Sequence, residues 1–327
     1  MRITVFGAGA VGGMIAARLA AHGSAVSVVA RGETLAALKR GGLTLDDVDG
    51  RYDAPLAAAT DDPESLPPQD VLVLALKAHQ IAGALPSLRP LLRPETLVAP
   101  AINGLPWWYF QGIGGPLCDA RLASLDPDGA LADAIPAERI AGCVVYVAAE
   151  VVQPGRVKSQ GFQRLQLGRP VLGGAPGLEA FAEALSAAGF DAPILDDIRQ
   201  AVWMKLLGNL WANPMSVATE ATMGEMLEEP GVYAAAKRMT IEAREVARAL
   251  GVALDQDIDE RLRQSAAGGL KGFRSSMLQD FDRGRSLELD PILGSVLETA
   301  QRLGLPTPTL EAVYGIVNLK ARTAGLA

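Results

Sequence analysis

The first half of the chain alternates short apolar runs with helix-length segments. "ITVFGAG" reads as a strand ending in glycine, "AVGGMIAARLAAHG" is alanine-rich and closed by glycine, and "AVSVVAR" is a second apolar strand. "DVLVLALKA" and "ETLVAPAING" repeat the theme, with Pro100 marking a strand end or a sheet edge. Such alternation predicts a parallel, doubly wound sheet of Rossmann type. Two later β-rich runs, "AGCVVYVAAEVV" and "GRVKSQGFQRLQLG", are joined by "QPG" and are expected to add an antiparallel pair to that sheet. Beyond about residue 196 the period becomes helical. "GVYAAAKRMTIEAREVARALG", "LELDPILGSVLETAQRLG" and "PTPTLEAVYGIVNLKARTAG" each read as a helix ended by glycine. The fold class is therefore α/β, with an N-terminal doubly wound domain over residues 1–196 and a C-terminal all-α domain over 197–327, closely joined with a cleft between them.

Length and composition agree with that division. The 327 residues suit two ordinary domains, and 49% hydrophobic with 20% charged residues is the balance of a globular chain. A net charge of −7 argues against a nucleic-acid binder. With only Cys118 and Cys143, a disulfide framework is not expected and a reducing cytoplasm is. Those cysteines with His22 and His79 do not form a zinc motif, so no metal is expected. The N-terminus has the basic start and apolar middle of a secretory signal, but Gly7, Gly9, Gly12 and Gly13 interrupt it. No uninterrupted apolar stretch of about eighteen residues suggests a membrane span.

The glycines have a better use. Gly7, Gly9 and Gly12 form G-x-G-x-x-G between the first strand and the first helix, where that spacing binds a dinucleotide. The first glycine permits the turn, the second admits the pyrophosphate and the third lets helix and strand pack closely. The backbone from Gly7 through Ala8, Gly9, Ala10, Val11 and Gly12 is the expected cradle. An NAD site places a carboxylate at the end of the second strand; this chain places Arg31 there, a guanidinium suited to the extra phosphate of NADP. Glu33 is the nearby carboxylate that suits NAD.

"WMKLLGNLWANP", residues 203–214, poses a different question. Lys205, Asn209 and Asn213 lie four apart and make one polar stripe on an otherwise apolar helix. The stripe fits the exposed side of an amphipathic helix, although two asparagines are poor helix formers. It also fits a cleft, where it offers one proton donor flanked by amides able to orient a carboxylate or hydroxyl.

Here the sequence resembles the ketopantoate reductases. Lys205, Asn209 and Asn213-Pro214 are similar to that family's K-x-x-x-N-x-x-x-N-P helix, and "SSMLQDFDRGRSLELD" resembles its S-S-M-x-Q-D segment followed by a glutamate, here Glu288. "LKAHQ" at 76–80 and "ING" at 102–104 resemble its lysine-bearing turn and its nucleotide-contacting asparagine. The resemblance runs from Met1 to the last helix. It implies NADPH-dependent reduction of 2-dehydropantoate in pantothenate biosynthesis, with Lys205 as general acid and Glu288 as an orienting carboxylate for substrate or cofactor. Asn209, Asn213 and Ser276 would hold the keto acid, Asn103 would lie beside the nicotinamide ribose within reach of the substrate, and Lys77 near the adenosine. A homodimer through the helical domain is also implied. Plainer roles stay open: Glu288 as a helix N-terminal carboxylate, Ser276 as a cap.

The chain departs from the family at Phe273 and Leu293, each where an asparagine is common, and at the aromatic run Trp107-Trp108-Tyr109. These aromatics suit a loop anchor or an apolar pocket wall equally. A reductase of another 2-keto acid or related carbonyl is therefore the alternative enzyme, and a non-catalytic NADP-binding sensor the alternative outside enzymes. A β-hydroxyacid dehydrogenase fits less well, because its glycine spacing and catalytic motif are not evident.

Overall fold

A computed structural model describes residues 1–326. The strand-helix alternation is realised as β1 (Arg2–Phe6), α1 (Ala10–Ala21), β2 (Ala25–Val29), α2 (Gly32–Gly41), β3 (Leu43–Asp47), β4 (Gly50–Ala54), β5 (Ala58–Thr60), β6 (Val71–Leu74), α3 (Ala78–Leu88) and β7 (Leu97–Pro100). There follow α4 (Ala130–Ala134), β8 (Gly142–Gln153), β9 (Arg156–Gly168), α5 (Leu178–Ala187) and β10 (Ile194–Leu195). The expected Rossmann-type sheet is present: its strands run in the order β5-β2-β1-β6-β7 and every pair is parallel. Pro100 ends β7, an edge strand, where its missing N–H costs no ladder bond.

The β8–β9 hairpin forms as expected but does not join that sheet. It belongs to a second sheet ordered β10-β9-β3-β4, with β8 paired antiparallel to β9. The reason lies in β9, whose other edge is taken by β3 in parallel register from Thr44↔Arg156 to Asp46↔Lys158. Helix α1 packs against β1 and β2 of the parallel sheet and against β3, β4, β8 and β9 of the second. It can do so because its faces are small. A Cβ on Gly13 would stand 2.7 Å from a Val157 methyl. Ile3, Val5, Met14, Leu19, Leu45, Leu165 and Leu167 are wholly buried around it, and each such side chain contributes about 1.5–3 kcal/mol on leaving water.

The remaining helices are α6 (Ile198–Thr219), α7 (Met223–Glu228), α8 (Pro230–Ala249), α9 (Ile258–Ser265), α10 (Ser276–Asp282), α11 (Ser295–Leu303) and α12 (Pro308–Thr323). Central α8 packs on α7, α9, α11 and α12. The segment read as one helix from Leu287 to Gly304 instead enters α11 through a wide π-type turn at Asp290–Gly294. By packing, the chain divides into one unit of residues 1–102, 108–113 and 128–198, and another of 103–107, 114–127 and 199–327. The short stretch Asn103–Trp107 thus packs with the helices. Among the described residues no helix is long and apolar enough to cross a membrane.

Candidate active site

In the sheet-containing unit the glycine turn sits at the C-terminal end of β1, next to the point where strand order reverses between β1 and β6. Gly7 adopts φ +104°, a conformation that disfavours any side chain. A Cβ on Gly12 would lie 2.0 Å from the Gly7 carbonyl oxygen, so turn and helix meet at a separation only glycine allows. Gly9 precedes α1 without a side-chain cap, which leaves the first N–H groups of that helix aimed out of the turn, the arrangement that receives a phosphate. The Gly7 N–H donates to the Val29 carbonyl at 2.9 Å and so ties the turn to the end of β2. Arg31, exposed, stands just beyond that end as the residue preceding α2, with exposed Glu33 in the first turn of the same helix. Lys77 precedes α3 at the end of β6, its N–H accepted by the Gln80 side chain at 3.3 Å. Gly7, Arg31 and Lys77 thus follow the C-terminal ends of three adjacent strands. These features fit a dinucleotide: a turn with no room for a Cβ at Gly7 or Gly12, an uncapped helix start, and a guanidinium just beyond β2.

In the helical unit the polar stripe of α6 has a clear environment. Lys205 and Asn209 are half-buried, with Met204 and Gly208 beside them, while Leu206, Leu207, Leu210 and Trp211 on the other faces of α6 are buried. Asn213 is only 4% exposed. The stripe is therefore not a solvated face. The Lys205 ammonium donates to Asn103 Oδ1 at 2.7 Å, and Asn103 Nδ2 donates to Glu288 Oε2 at 3.1 Å. An amide has one acceptor end and one donor end, so this orientation alone satisfies both charged neighbours. Lysine, asparagine and glutamate, distant in sequence, are thus joined in one hydrogen-bonded line.

Asn213 and Ser276 stand apart from that line. Pro214 leaves α6 without one backbone donor, and beyond it the Ser216 hydroxyl donates back to the Asn213 carbonyl at 2.8 Å. Ser216 also shares a hydroxyl hydrogen bond of 2.5 Å with Ser275, which in turn caps α10 by accepting the Leu278 N–H at 3.1 Å. The buried hydroxyl is thus Ser275, whereas Ser276 is exposed in the first turn of α10. Trp107, Trp108 and Tyr109 are at most 6% exposed. Trp108 packs against Gly142, and Tyr109 meets Phe110 edge to face at 5.0 Å between ring centres. Leu293 is fully buried in the π-turn, and Phe273 is exposed.

Three features were not legible in the sequence. Gly104, beside Asn103, has φ +83°, and a Cβ there would fall 2.2 Å from the Pro291 carbonyl oxygen. The Leu105 N–H donates to that same oxygen at 2.9 Å. Arg261 on α9 donates to the Met204 carbonyl, one residue from Lys205. The "ING" motif contains the first of these, but its partner lies in a distant segment.

A parallel sheet with a glycine turn at its switch point, carried with a helical unit that holds a lysine-amide-carboxylate line, defines an oxidoreductase of Rossmann type. Residues 3–171 match the family described as ketopantoate reductase PanE/ApbA, and residues 197–321 match the ketopantoate reductase PanE/ApbA C-terminal family. The chain belongs to the ketopantoate reductase family. It is 41% identical over 326 residues to a 2-dehydropantoate 2-reductase of Mesorhizobium japonicum, covering 99% of each chain. Among solved structures, a candidate ketopantoate reductase from Ralstonia solanacearum MolK2 superposes with a TM-score of 0.92 at 38% identity, covering 100% of this chain and 99% of that one. A D-mandelate dehydrogenase solved with NADH and anilino(oxo)acetate shares the fold at a TM-score of 0.84 and 22% identity, over the full length of both chains.

Proposed function

We propose that the protein reduces 2-dehydropantoate to pantoate with NADPH, in the cytoplasm and as a step of pantothenate biosynthesis. The observation that carries this reading is the Lys205–Asn103–Glu288 line. NADPH supplies the hydride. As it reaches C2 of the keto acid, negative charge grows on the carbonyl oxygen. Lys205 stabilises that charge and gives up a proton to the oxygen as the alcohol forms. Asn103 holds the ammonium with its carbonyl oxygen and the carboxylate with its amide nitrogen. Glu288 orients the amide and, through it, the lysine. Asn209, one turn along α6, and Ser276 at the start of α10 are assigned to the keto acid, as is Asn213 at the closed end of the stripe. Gly7 to Gly12 hold the pyrophosphate, Arg31 the 2′-phosphate and Lys77 the adenosine side, with Asn103 and Glu288 reaching the nicotinamide ribose. Residues 1–196 thus serve chiefly the cofactor, and 197–327 serve the substrate, the nicotinamide end through Glu288, and the contact of a homodimer.

Burial of Trp107, Trp108, Tyr109 and Leu293 supports ketopantoate over a bulky aromatic keto acid, since these departures lie in packed interior. Phe273, 39% exposed, is the one departure that favours a different keto acid. A sensor that merely binds NADP has no use for an ammonium and a carboxylate held on one amide.

The deciding experiment follows NADPH oxidation by absorbance with ketopantoate and with a panel of aliphatic and aromatic 2-keto acids, using wild-type and Lys205→Ala protein. Lysine-dependent turnover greatest on ketopantoate is expected. Turnover confined to another acid would retain the mechanism and discard the substrate; binding of NADPH without any carbonyl reduction would leave a sensor.

A further inference from the structure

The wide turn that follows Glu288 has a specific effect on backbone bonding. In an α-helix the Ser295 N–H would bond to the Pro291 carbonyl; here it reaches back one residue further, to Asp290. The Pro291 carbonyl is released from the helix ladder. It accepts the Ser295 hydroxyl at 2.8 Å and the Leu105 N–H at 2.9 Å. The second bond draws the segment after Asn103 onto the turn, and Gly104 is the residue that lets it come so close. Every atom concerned lies in the helical unit.

Something must hold a turn wider than its neighbours. Asp290 folds its carboxylate back over Gly294, where a Cβ would lie 2.8 Å from Oδ1. The hydroxyl of Tyr314 on α12 donates to that same oxygen at 2.7 Å, and its ring edge stands 3.4 Å from the missing Cβ. Burial, with the hydrogen bond to Asp290 next in weight, pushes the Tyr314 phenol up to about 12, so it remains a donor at any working pH.

We infer that Tyr314 and Asp290 are positioning residues for the reduction: they hold the π-turn whose released Pro291 carbonyl seats the Asn103 segment, so that Asn103 meets Lys205 and Glu288 together. The inference rests on the reduction proposed above, and neither residue touches the reacting atoms. Tyr314→Phe removes the hydroxyl and keeps the ring. Asp290→Ala removes the acceptor, while Asp290→Asn retains an oxygen for Tyr314.

Because small misplacements of a reacting group are costly, Tyr314→Phe and Asp290→Ala are each expected to lower kcat about tenfold with little change in the KM for NADPH. Gly104→Ala should lower it about a hundredfold, since its Cβ cannot coexist with the Pro291 oxygen. Asp290→Asn should restore most of the loss seen with alanine. Hydrogen exchange at the Leu105 amide supplies an independent reading: slow in the wild type, faster in the three impaired variants, slow again in Asp290→Asn.

Folded variants that keep wild-type kcat, or that lose it while Leu105 stays protected, overturn the inference. Should Gly104→Ala not fold, Tyr314→Phe and the two Asp290 variants decide it. A wild-type protein that reduces no 2-keto acid would remove the proposed function. The positioning claim would then be judged by Leu105 exchange and by the Asn103 to Glu288 distance in a crystal structure of Asp290→Ala, an unchanged distance overturning it.

Discussion

Lys205 donates to the Asn103 amide, and its chemistry is tested by side chains that keep the charge and change the acid. Lys205→Ala should lower turnover by about 10²–10⁴-fold, the usual worth of a positioned general acid, while NADPH affinity stays near wild type. Lys205→Arg should fail almost as badly, because a guanidinium keeps the positive charge but does not surrender a proton in water. Stopped-flow turnover beside NADPH titration separates the two quantities; near-normal turnover in Lys205→Arg would reduce the lysine to an electrostatic role. Arg31 admits an equally direct test. Arg31→Ala should weaken NADPH and leave NADH unchanged, since only NADPH carries the 2′-phosphate; equal loss for both would leave Arg31 with no phosphate to bind. Lys205 and Arg31 stand out in the sequence because each breaks a local rule, a cation in an apolar helix and a guanidinium where a carboxylate is customary. Gly104 breaks none. Its necessity depends on Pro291, and nothing near either residue announces the other.

At the level of elements, the segment 114–127 is bound to α11 mainly through one carboxylate. Glu298 accepts the Ala123 and Ser124 N–H groups at 2.9 Å each, the Ser124 hydroxyl at 2.8 Å, and Arg302 at 2.6 Å. Burial pushes this carboxyl up, but the two backbone donors, the hydroxyl and the guanidinium together outweigh it and hold the group below its ordinary value. A carboxylate depressed in the folded state adds stability above its unfolded pKa and loses that contribution as pH falls through the folded one. Glu298→Gln should therefore cost about 1–3 kcal/mol at neutral pH, and the difference from wild type should shrink as both are acidified below about pH 4. Urea unfolding at several pH values checks this; a penalty constant down to low pH would deny the ionised form its role. Element type was legible wherever the hydrophobic period was long, as in α8 and α12. It was hidden in "GLTLDDVDGRYDA", where carboxylates and glycine obscure β3 and β4. With those strands unseen, the β8–β9 hairpin had no other sheet to join. The π-turn was hidden for a related reason, since Tyr314 closes it from another helix.

Across the whole molecule, the sheet-containing unit has a buried polar contact on the helix that follows the glycine turn. Arg18 on α1 is 1% exposed, and its guanidinium reaches Asp47 at 2.6 Å, Asp49 at 3.2 Å and the Ala188 carbonyl at 3.1 Å. Tyr52 lies 5.2 Å from it and Phe190 5.9 Å. The Asp47 side chain is fully buried, so removing the arginine strands a carboxylate away from water. Such a loss costs about 3–5 kcal/mol, far more than an exposed pair. The helix that carries Arg18 begins at the glycine turn, so a ligand held by that turn binds only when α1 is in place. NADPH should then oppose the damage by mass action, restoring about 2.7 kcal/mol at a hundred times its dissociation constant. Arg18→Ala should lower the thermal midpoint markedly without cofactor and recover much of the loss with NADPH. Arg18→Ala combined with Asp47→Ala should be milder than Arg18→Ala alone, because no unpaired charge then remains buried. If the double variant is as unstable as the sum of the singles, the arginine contributes through its packing against Tyr52 and Phe190, and the ion pair is incidental to the stability of the fold.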